Sequence, residues 1–314
     1  MPSSAKHNSL GELYLQAVRG RRATPTTVGE MVESWLAHCA RTYPSRKGSS
    51  TFTNMRDATR PLVGLFGDLS LAQLSIDHLE AVRDCQTETL SRRTCNDRAA
   101  RLRTMLRHFA HCLPCSVSDL TLAGLRKGRT AARETRKKYA VPIRDVLATL
   151  KDGALHPACR AITLTMLRTG ARPGEICTLK GSEIDTSASP WVVHIEEWKG
   201  SWREKDRIIA IGPRAQLILL PYLNDGYLFV MESGPRKGQP WRVMAYCRAI
   251  SRAAERQGVA HWTPQQLRKR ALTDAPTEEL ARQIAQHDDV RTTRKHYLDP
   301  VLPAEVAEWA VETG

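Results

Sequence analysis

The chain has 314 residues, a formal net charge of +14 and a pI near 9.7. Its length suits two domains with hydrophobic cores, and a basic charge spread along the whole chain favours an extended polyanion, above all nucleic acid, as the partner. No apolar run approaches the roughly 18 residues of a membrane-spanning helix, and residues 1–24 lack the apolar core of a signal peptide. We therefore expect a soluble, intracellular protein.

The first part of the chain predicts a basic arm followed by a helical domain. Residues 1–24 are polar and basic and indicate a mobile arm. Within the helical domain, residues 25–113, Thr27 can cap an amphipathic helix whose apolar residues recur at i, i+3, i+4, i+7 and i+8. Two more helices are predicted over 50–66 and 76–85.

A fourth helix, over 90–112, has apolar residues on one face and arginines over most of the rest, with Asp97 as its only acid. An exposed face so rich in arginine repels itself unless an anion lies against it, so DNA contact is favoured over a solvated face with local pairing. The predicted DNA-binding residues of this helix are Arg92, Arg93, Arg98, Arg101, Arg103 and Arg107.

Cysteine usage gives no sign of a disulfide scaffold, because the eight cysteines are scattered without dense regular spacing. In a reducing cytosol we interpret them as small buried apolar groups. Cys112 and Cys115 have zinc-ligand spacing, with His108 and His111 nearby, but a structural zinc site usually needs a second matched pair, which the sequence lacks. Redox chemistry is no better supported, so we predict neither a metal nor another cofactor.

Residues 114–140 predict a linker, since their hydrophobic periodicity is weak and their second half is dense in lysine and arginine. A positively charged connector can follow a phosphate backbone while the two domains hold opposite sides of a duplex. Lys137 and Lys138 are therefore added to the predicted DNA-binding residues.

The second domain, residues 141–314, mixes helices with a few β-branched strands. In it Arg172 precedes Pro173, which favours the first position of a helix, so Arg172 should lie at a helix N-terminus that attracts anions. Lys199 and Lys205 lie in a turn between two strands. Helices are predicted over 144–150, 157–168, 213–223 and 245–258, and strands over 191–198, 207–211 and 227–230. The predicted fold class is mainly α with a small antiparallel β-sheet, an α+β fold.

The stretch 262–300 places Arg268, His287 and Tyr297 in a strongly cationic segment. Arginine binds phosphate bidentately, histidine can move a proton near neutral pH, and a tyrosine phenol can become a nucleophile. These are the groups needed to attack a phosphodiester. For such a trio taken alone, a basic helical hairpin with one histidine and one packed tyrosine is the more common explanation.

Five elements in order make the chain resemble the tyrosine recombinases, or phage-type integrases: TGARPGEI, a lysine in a strand–turn–strand, TPQQLR, QH and TTRKHYLDP. The similarity covers nearly the whole chain and implies an N-terminal helical core-binding domain followed by a mixed catalytic domain. It implies that Arg172 and Arg268 are the two arginines of the family's active site, with Glu175 in the supporting acidic position. Lys199 would be the lysine of the β-hairpin, with Lys205 as the alternative. His287 would take the position of a family His or Trp, and Tyr297 would be the nucleophile.

The chain departs from the family pattern at Gln265, which stands where a histidine is usual three residues before the second arginine. Glutamine can donate a hydrogen bond to a phosphate oxygen but cannot accept a proton at physiological pH. The interval from Arg268 to His287 is also shorter than is usual, so either the helix between them is trimmed or the site is altered.

The resemblance implies metal-free chemistry. Arg172 and Arg268 would stabilise charge on the non-bridging phosphate oxygens, and His287 would add a hydrogen bond. Tyr297 would attack in line to give a phosphotyrosyl enzyme, while Lys199 protonates the leaving 5′-oxygen. With Gln265 at the usual base position, we expect the field of the two arginines, Lys269 and Arg270, aided by His296 or His261, to favour the phenolate. Cleavage could then be slow.

The implied function is a site-specific recombinase or integrase that cleaves and rejoins double-stranded DNA. A catalytically impaired DNA-binding protein on the same scaffold and a type IB topoisomerase are the alternatives. The family works as a tetramer on two duplexes, and residues 303–311 could form a helix that docks onto a neighbouring subunit. Free of DNA the protein should be a monomer or dimer, and it should act in the bacterial cytoplasm, associated with the nucleoid.

Overall fold

The computed structural model describes residues 24–43, 51–151, 153, 155–195, 207–296 and 298. The chain separates into two compact units, Met1–Arg136 and Lys137–Gly314. Each unit has its own hydrophobic core. The predicted arm and the C-terminal range 303–311 lie outside the described residues.

Four helices form the described part of the N-terminal unit: α1 (Val28–Thr42), α2 (Thr51–Phe66), α3 (Ile76–Asp84) and α4 (Arg92–His108). Thr27 caps α1, as the sequence predicts, and Glu30 completes a reciprocal capping box. The apolar stripes of the helices meet in one core that includes Met31, Leu62 and Leu106. The helix predicted over 90–112 is shorter than expected, because the chain tightens into a 3₁₀ turn, Ala110–Cys112, after α4.

Much of the range predicted as a linker is folded onto the N-terminal unit. Leu120 is buried in its core, and the Asn96 side chain both donates to and accepts from the backbone of Leu125, at 3.2 and 2.8 Å. The units divide after Arg136, so residues 114–136 belong to the N-terminal one. Their weak periodicity reflects turns held by side chains and not an unpacked connector.

The cysteines and their neighbours only partly follow the expectation of burial. All eight are free thiols, and Cys85 and Cys115 are exposed. Burial raises the pKa of Cys159 to about 12. The ring of His108, near the pair with zinc-ligand spacing, packs at a tilt against the rings of Trp35 and His38. Within the described ranges, no three His, Cys, Asp or Glu side chains are grouped to hold a metal.

The C-terminal unit contains eight helices in its described part: α5 (Ile143–Thr149), α6 (Pro157–Thr169), α7 (Pro173–Cys177), α8 (Pro213–Leu219), α9 (Val243–Arg256), α10 (Pro264–Thr273), α11 (Glu278–Ala285) and α12 (Val290–His296). Helix α6 packs against α7, α8, α9 and α10. It is buried on most of its surface, and its Thr163 hydroxyl is satisfied by Cys159 and Tyr246. No helix in the described ranges is both long and apolar enough to cross a bilayer.

A three-stranded antiparallel sheet completes the unit, in the order β1 (Ile184–Asp185), β2 (Trp191–Ile195) and β3 (Arg207–Ile211). The strand predicted over 207–211 is confirmed, and the mainly helical fold with a small antiparallel sheet is the one predicted. The strand predicted over 227–230 is wrong: its apolar residues are buried in the core, but its ends form only isolated bridges. The turn with Lys199 and Lys205 lies outside the described residues.

Candidate active site

Arg172 stands at the sharp turn between α6 and α7. Gly170 ends α6 in the left-handed conformation, with φ of 64°, and Pro173 begins α7, as the sequence predicts. Glu175, one turn later, accepts from the Arg172 backbone N–H at 2.7 Å and from Arg172 Nη1 at 2.8 Å. The guanidinium is thus oriented by a carboxylate while 24% of the side chain stays exposed.

Arg207 holds the other side of the same carboxylate. Its Nε and Nη2 donate to the two oxygens of Glu175 at 3.0 and 2.9 Å, and its side chain is only 1% exposed. Burial alone would raise the pKa of Glu175, but the hydrogen bonds and charge of Arg207, with the charge of Arg172, lower that pKa to about 2. A carboxylate that is ionised at neutral pH therefore lies between two arginines.

Sequence reasoning missed Arg207 as a site residue, although a signal was present. In β3 the buried positions alternate with exposed ones, and Arg207 is in phase with the inward-facing Ile209 and Ile211. An arginine in the buried phase of a strand needs an acidic partner inside the fold.

Arg268 is fully buried on α10 and bridges two chain reversals. Its Nη1 donates to the Gly170 carbonyl at 2.6 Å and its Nη2 to the Ala285 carbonyl at 3.0 Å. Gly170 lies two residues before Arg172, and Ala285 lies two residues before His287. The structure therefore brings together the parts of the chain that carry the three predicted residues, with Arg268 between the other two.

His287 follows α11, a helix of only eight residues. The ring is half-buried, and its Nδ1 lies 2.8 Å from the Thr293 hydroxyl, while Arg282 donates to the His287 carbonyl at 3.0 Å. Gln286, immediately before it, has a φ of 50°. Hydrogen bonds therefore fix both the ring and the backbone of His287.

Gln265 and the two cations that follow it on α10 differ in burial and in their bonding partners. Gln265 is exposed in the first turn of α10. Lys269 is buried, and its Nζ donates to the Lys138 carbonyl at 2.7 Å, while Arg270 forms an ion pair with Asp274. These two cations, expected to favour the phenolate, therefore have partners other than a nucleophile.

Lys137 and Lys138 belong to the C-terminal unit and have exposed side chains. His261, the other proposed assistant, is exposed with its Nδ1 3.2 Å from the Ser251 hydroxyl. Tyr297, Lys199, Lys205 and the side chain of His296 lie outside the described residues.

The arginines of α4 fall into two groups. Arg92 donates to Glu134 at 2.6 Å, and Arg98 donates to Gln86 at 2.7 Å. Arg93, Arg103 and Arg107 are exposed, whereas Arg101 is half-buried. An open cavity of about 360 Å³ is lined by Arg103 and Arg107 together with Val117, Ser118 and Thr121.

Comparison with known proteins gives one family and one fold. The family model described as "Phage integrase family" matches residues 140–301. The integrase of transposon Tn1549, solved with a circular intermediate DNA, is 15% identical with a TM-score of 0.69, covering 91% of this chain and all of that one. A lambda integrase dimer on a core site is 14% identical with a TM-score of 0.65, covering 86% and 99%.

A lambda integrase tetramer bound to a Holliday junction is similar to the same degree, at 15% identity and a TM-score of 0.65, covering 95% of this chain and 82% of that one. At these identities the solved structures establish a shared fold. A search of curated proteins found no match.

Proposed function

The chain belongs to the phage integrase family, and we propose that it is a site-specific recombinase that cleaves and rejoins double-stranded DNA through a covalent phosphotyrosine intermediate. The observation that carries this proposal is the hydrogen bonding of Arg268 to the carbonyls of Gly170 and Ala285, because these residues lie two positions before Arg172 and His287 and the bonds bring the three chain segments together. Cationic groups gathered around one phosphate stabilise the charge of a phosphoryl-transfer transition state without a metal.

In the proposed reaction the Tyr297 phenol loses its proton to water and its oxygen attacks phosphorus. The bond to the 5′-oxygen breaks, and that oxygen takes a proton from Lys199 or Lys205. Arg172 and His287 contact the non-bridging oxygens. Arg268 acts on the same phosphate. Because both of its Nη atoms are bonded to carbonyls in a buried position, its approach requires a local rearrangement when DNA binds.

The phenol proton sets the expected rate. An unperturbed tyrosine has a pKa of about 10, and Gln265 cannot remove its proton. Since Arg270 is paired with the carboxylate of Asp274, whereas Lys269 donates to a neutral carbonyl, we assign most of the cationic field to Arg172, Arg268 and Lys269. We therefore propose slow cleavage relative to a site with a histidine base.

Double-stranded DNA is the proposed partner. Solved relatives with this fold include a dimer on a core site and a tetramer on a Holliday junction. We propose that this chain forms a tetramer on two duplexes in the bacterial cytoplasm. The exposed arginines of α4, together with Lys137 and Lys138, would make part of the contact with DNA.

The test is covalent trapping on nicked suicide substrates made from the DNA that flanks the gene. We expect a protein–DNA adduct that survives denaturation and disappears in Tyr297→Phe, which keeps the ring and removes the nucleophilic oxygen. Specific binding without an adduct would overturn the enzymatic proposal in favour of a DNA-binding regulator. Relaxation of supercoils by monomers without sequence preference would instead indicate a type IB topoisomerase.

A further inference from the structure

Arg207 is buried far beyond what an arginine normally tolerates. Its side chain is 1% exposed at the first position of β3, so its N–H donors must find partners inside the protein. Nε and Nη2 bind the carboxylate of Glu175 in a bidentate pair. Nη1 points elsewhere and donates to the Ile284 carbonyl at 3.3 Å and to the Gln286 side-chain oxygen at 2.8 Å. One guanidinium thus joins α7 to the end of α11.

Gln286, at the far end of this connection, has an unfavourable backbone conformation. Its φ of 50° is left-handed, and it is the one non-glycine with positive φ among the described residues. Side chains other than glycine, asparagine and aspartate rarely adopt this conformation, which persists only where surrounding contacts enforce it. Two sets of contacts enforce it here. Gln286 ends α11, where its N–H donates to the Arg282 and Gln283 carbonyls and the N–H of the next residue, His287, donates to the Arg282 carbonyl at 3.2 Å, and Arg207 binds the Gln286 side chain.

We propose that Arg207 and Gln286 are positioning residues for the phosphotransfer, in a relay that runs from Arg172 through Glu175, Arg207 and Gln286 to His287. The proposal rests on the proposed function. The relay fixes the guanidinium of Arg172 at one end and the turn that presents His287 at the other. Because Arg207 also begins β3 and is paired there with Ile195 of β2, it anchors the ends of these two strands to the same network.

A purely structural role for these residues makes a different prediction. If Arg207 only neutralised Glu175, the side chain of Gln286 would be dispensable, and replacing it with glycine would relieve the left-handed backbone without harming the reaction. If the relay positions His287, the same replacement leaves a folded protein that reacts slowly. Gln286→Gly therefore separates stability from positioning.

The experiment measures the single-turnover rate of adduct formation at saturating suicide substrate, together with the DNA Kd and the Tm. For Gln286→Gly we expect a Tm close to wild type, because relief of the left-handed backbone offsets the lost acceptor of Arg207, together with an unchanged Kd and a rate about tenfold lower, as for loss of one hydrogen bond to a charged group. Gln286→Glu keeps an acceptor for Arg207 and should retain more of the rate than Gln286→Gly. Gln283→Ala, on the exposed side of α11, is the matched control.

A double-mutant cycle tests the connection itself. Arg207→Lys keeps the charge but loses the fork, so it should slow adduct formation at least as much as Gln286→Gly. If both act through one relay, the double variant should be no slower than Arg207→Lys alone. Multiplying effects, or a wild-type rate in Gln286→Gly, would overturn the relay alone. A wild-type protein that forms no Tyr297-dependent adduct would overturn the proposed function and the relay with it.

Discussion

Gln265 occupies the position at which the candidate site lacks a general base. Its amide is exposed in the first turn of α10, three residues before Arg268. We expect Gln265→His to accelerate formation of the covalent complex by at least tenfold, since a positioned general base typically contributes a factor of about 10² to 10⁴. Gln265→Asn, which cannot accept a proton either, is the control. An unchanged rate in the histidine variant on a suicide substrate would show that phenol deprotonation does not limit cleavage.

Glu175 should make stability depend on pH in the acid range. Its pKa is lowered from 4.5 to about 2 in the folded protein, so the stabilisation is complete above the unfolded value and is lost as pH falls through the folded value. At about 1.4 kcal/mol per pKa unit, the contribution is on the order of 3 kcal/mol.

The measurement compares urea unfolding of wild type and Glu175→Gln between pH 7 and pH 2. Glu175→Gln should be less stable near neutrality, and the difference in unfolding free energy should shrink below about pH 4.5. A difference that stays constant with pH would contradict the ion-pair explanation. Glu255→Gln, at an exposed carboxyl on α9, provides the comparison.

At the residue scale, the sequence predicts what local chemistry determines. Pro173 places Arg172 at a helix start, and the structure has it there. The partners of Arg268 could not be predicted, because the carbonyls of Gly170 and Ala285 are brought to it only by the packing of α6, α10 and α11. The burial of Arg207 depends in the same way on Glu175, 32 residues away.

At the scale of elements, position 170, where the chain turns from α6 to α7, should not tolerate a side chain. Gly170 has a φ of 64°, and a Cβ there would lie 3.0 Å from Ile284 Cγ2. Gly170→Ala should lower the free energy of unfolding by roughly 1–2 kcal/mol and should reduce adduct formation, since the Gly170 carbonyl is a partner of Arg268.

Gly174, on α7, is the matched position. A Cβ there would meet only Val243 Cγ2 at 3.8 Å, an ordinary van der Waals contact. Gly174→Ala should be neutral or slightly stabilising in thermal unfolding, because alanine is the better helix former. Equal losses of stability in both variants would contradict the assignment of strain to Gly170.

Element prediction succeeds where periodicity and caps agree, as in α1 with its Thr27 cap and in β3 with its alternating burial. It fails for residues 227–230, because a short buried apolar run satisfies the core without joining a sheet. It also fails for residues 114–136. This range is held on the N-terminal unit by the burial of Leu120 in the core and by the bonds between Asn96 and Leu125, which local periodicity does not reveal.

At the scale of the whole molecule, the net charge of +14 predicts strongly salt-dependent binding to DNA. The structure narrows which arginines should contribute. Arg103 and Arg107 are exposed on α4, while Arg92 is engaged by Glu134 and by the Leu125 carbonyl. An arginine that neutralises a DNA phosphate releases a counterion from the DNA, whereas an arginine that stays paired within the protein contributes little to this release.

Replacing Arg103 and Arg107 together with alanine should therefore weaken DNA binding about equally for all sequences. It should also reduce the slope of log K against log salt by about 2, since each phosphate contact contributes about 0.9. Arg92→Ala is the control within the same helix. It should leave the slope nearly unchanged but lower the Tm, because it removes the bond to Glu134. The measurement is a fluorescence titration across salt concentrations. An equal slope change in Arg92→Ala would mean that the Glu134 pair opens on DNA and that the whole arginine face of α4 contacts the duplex.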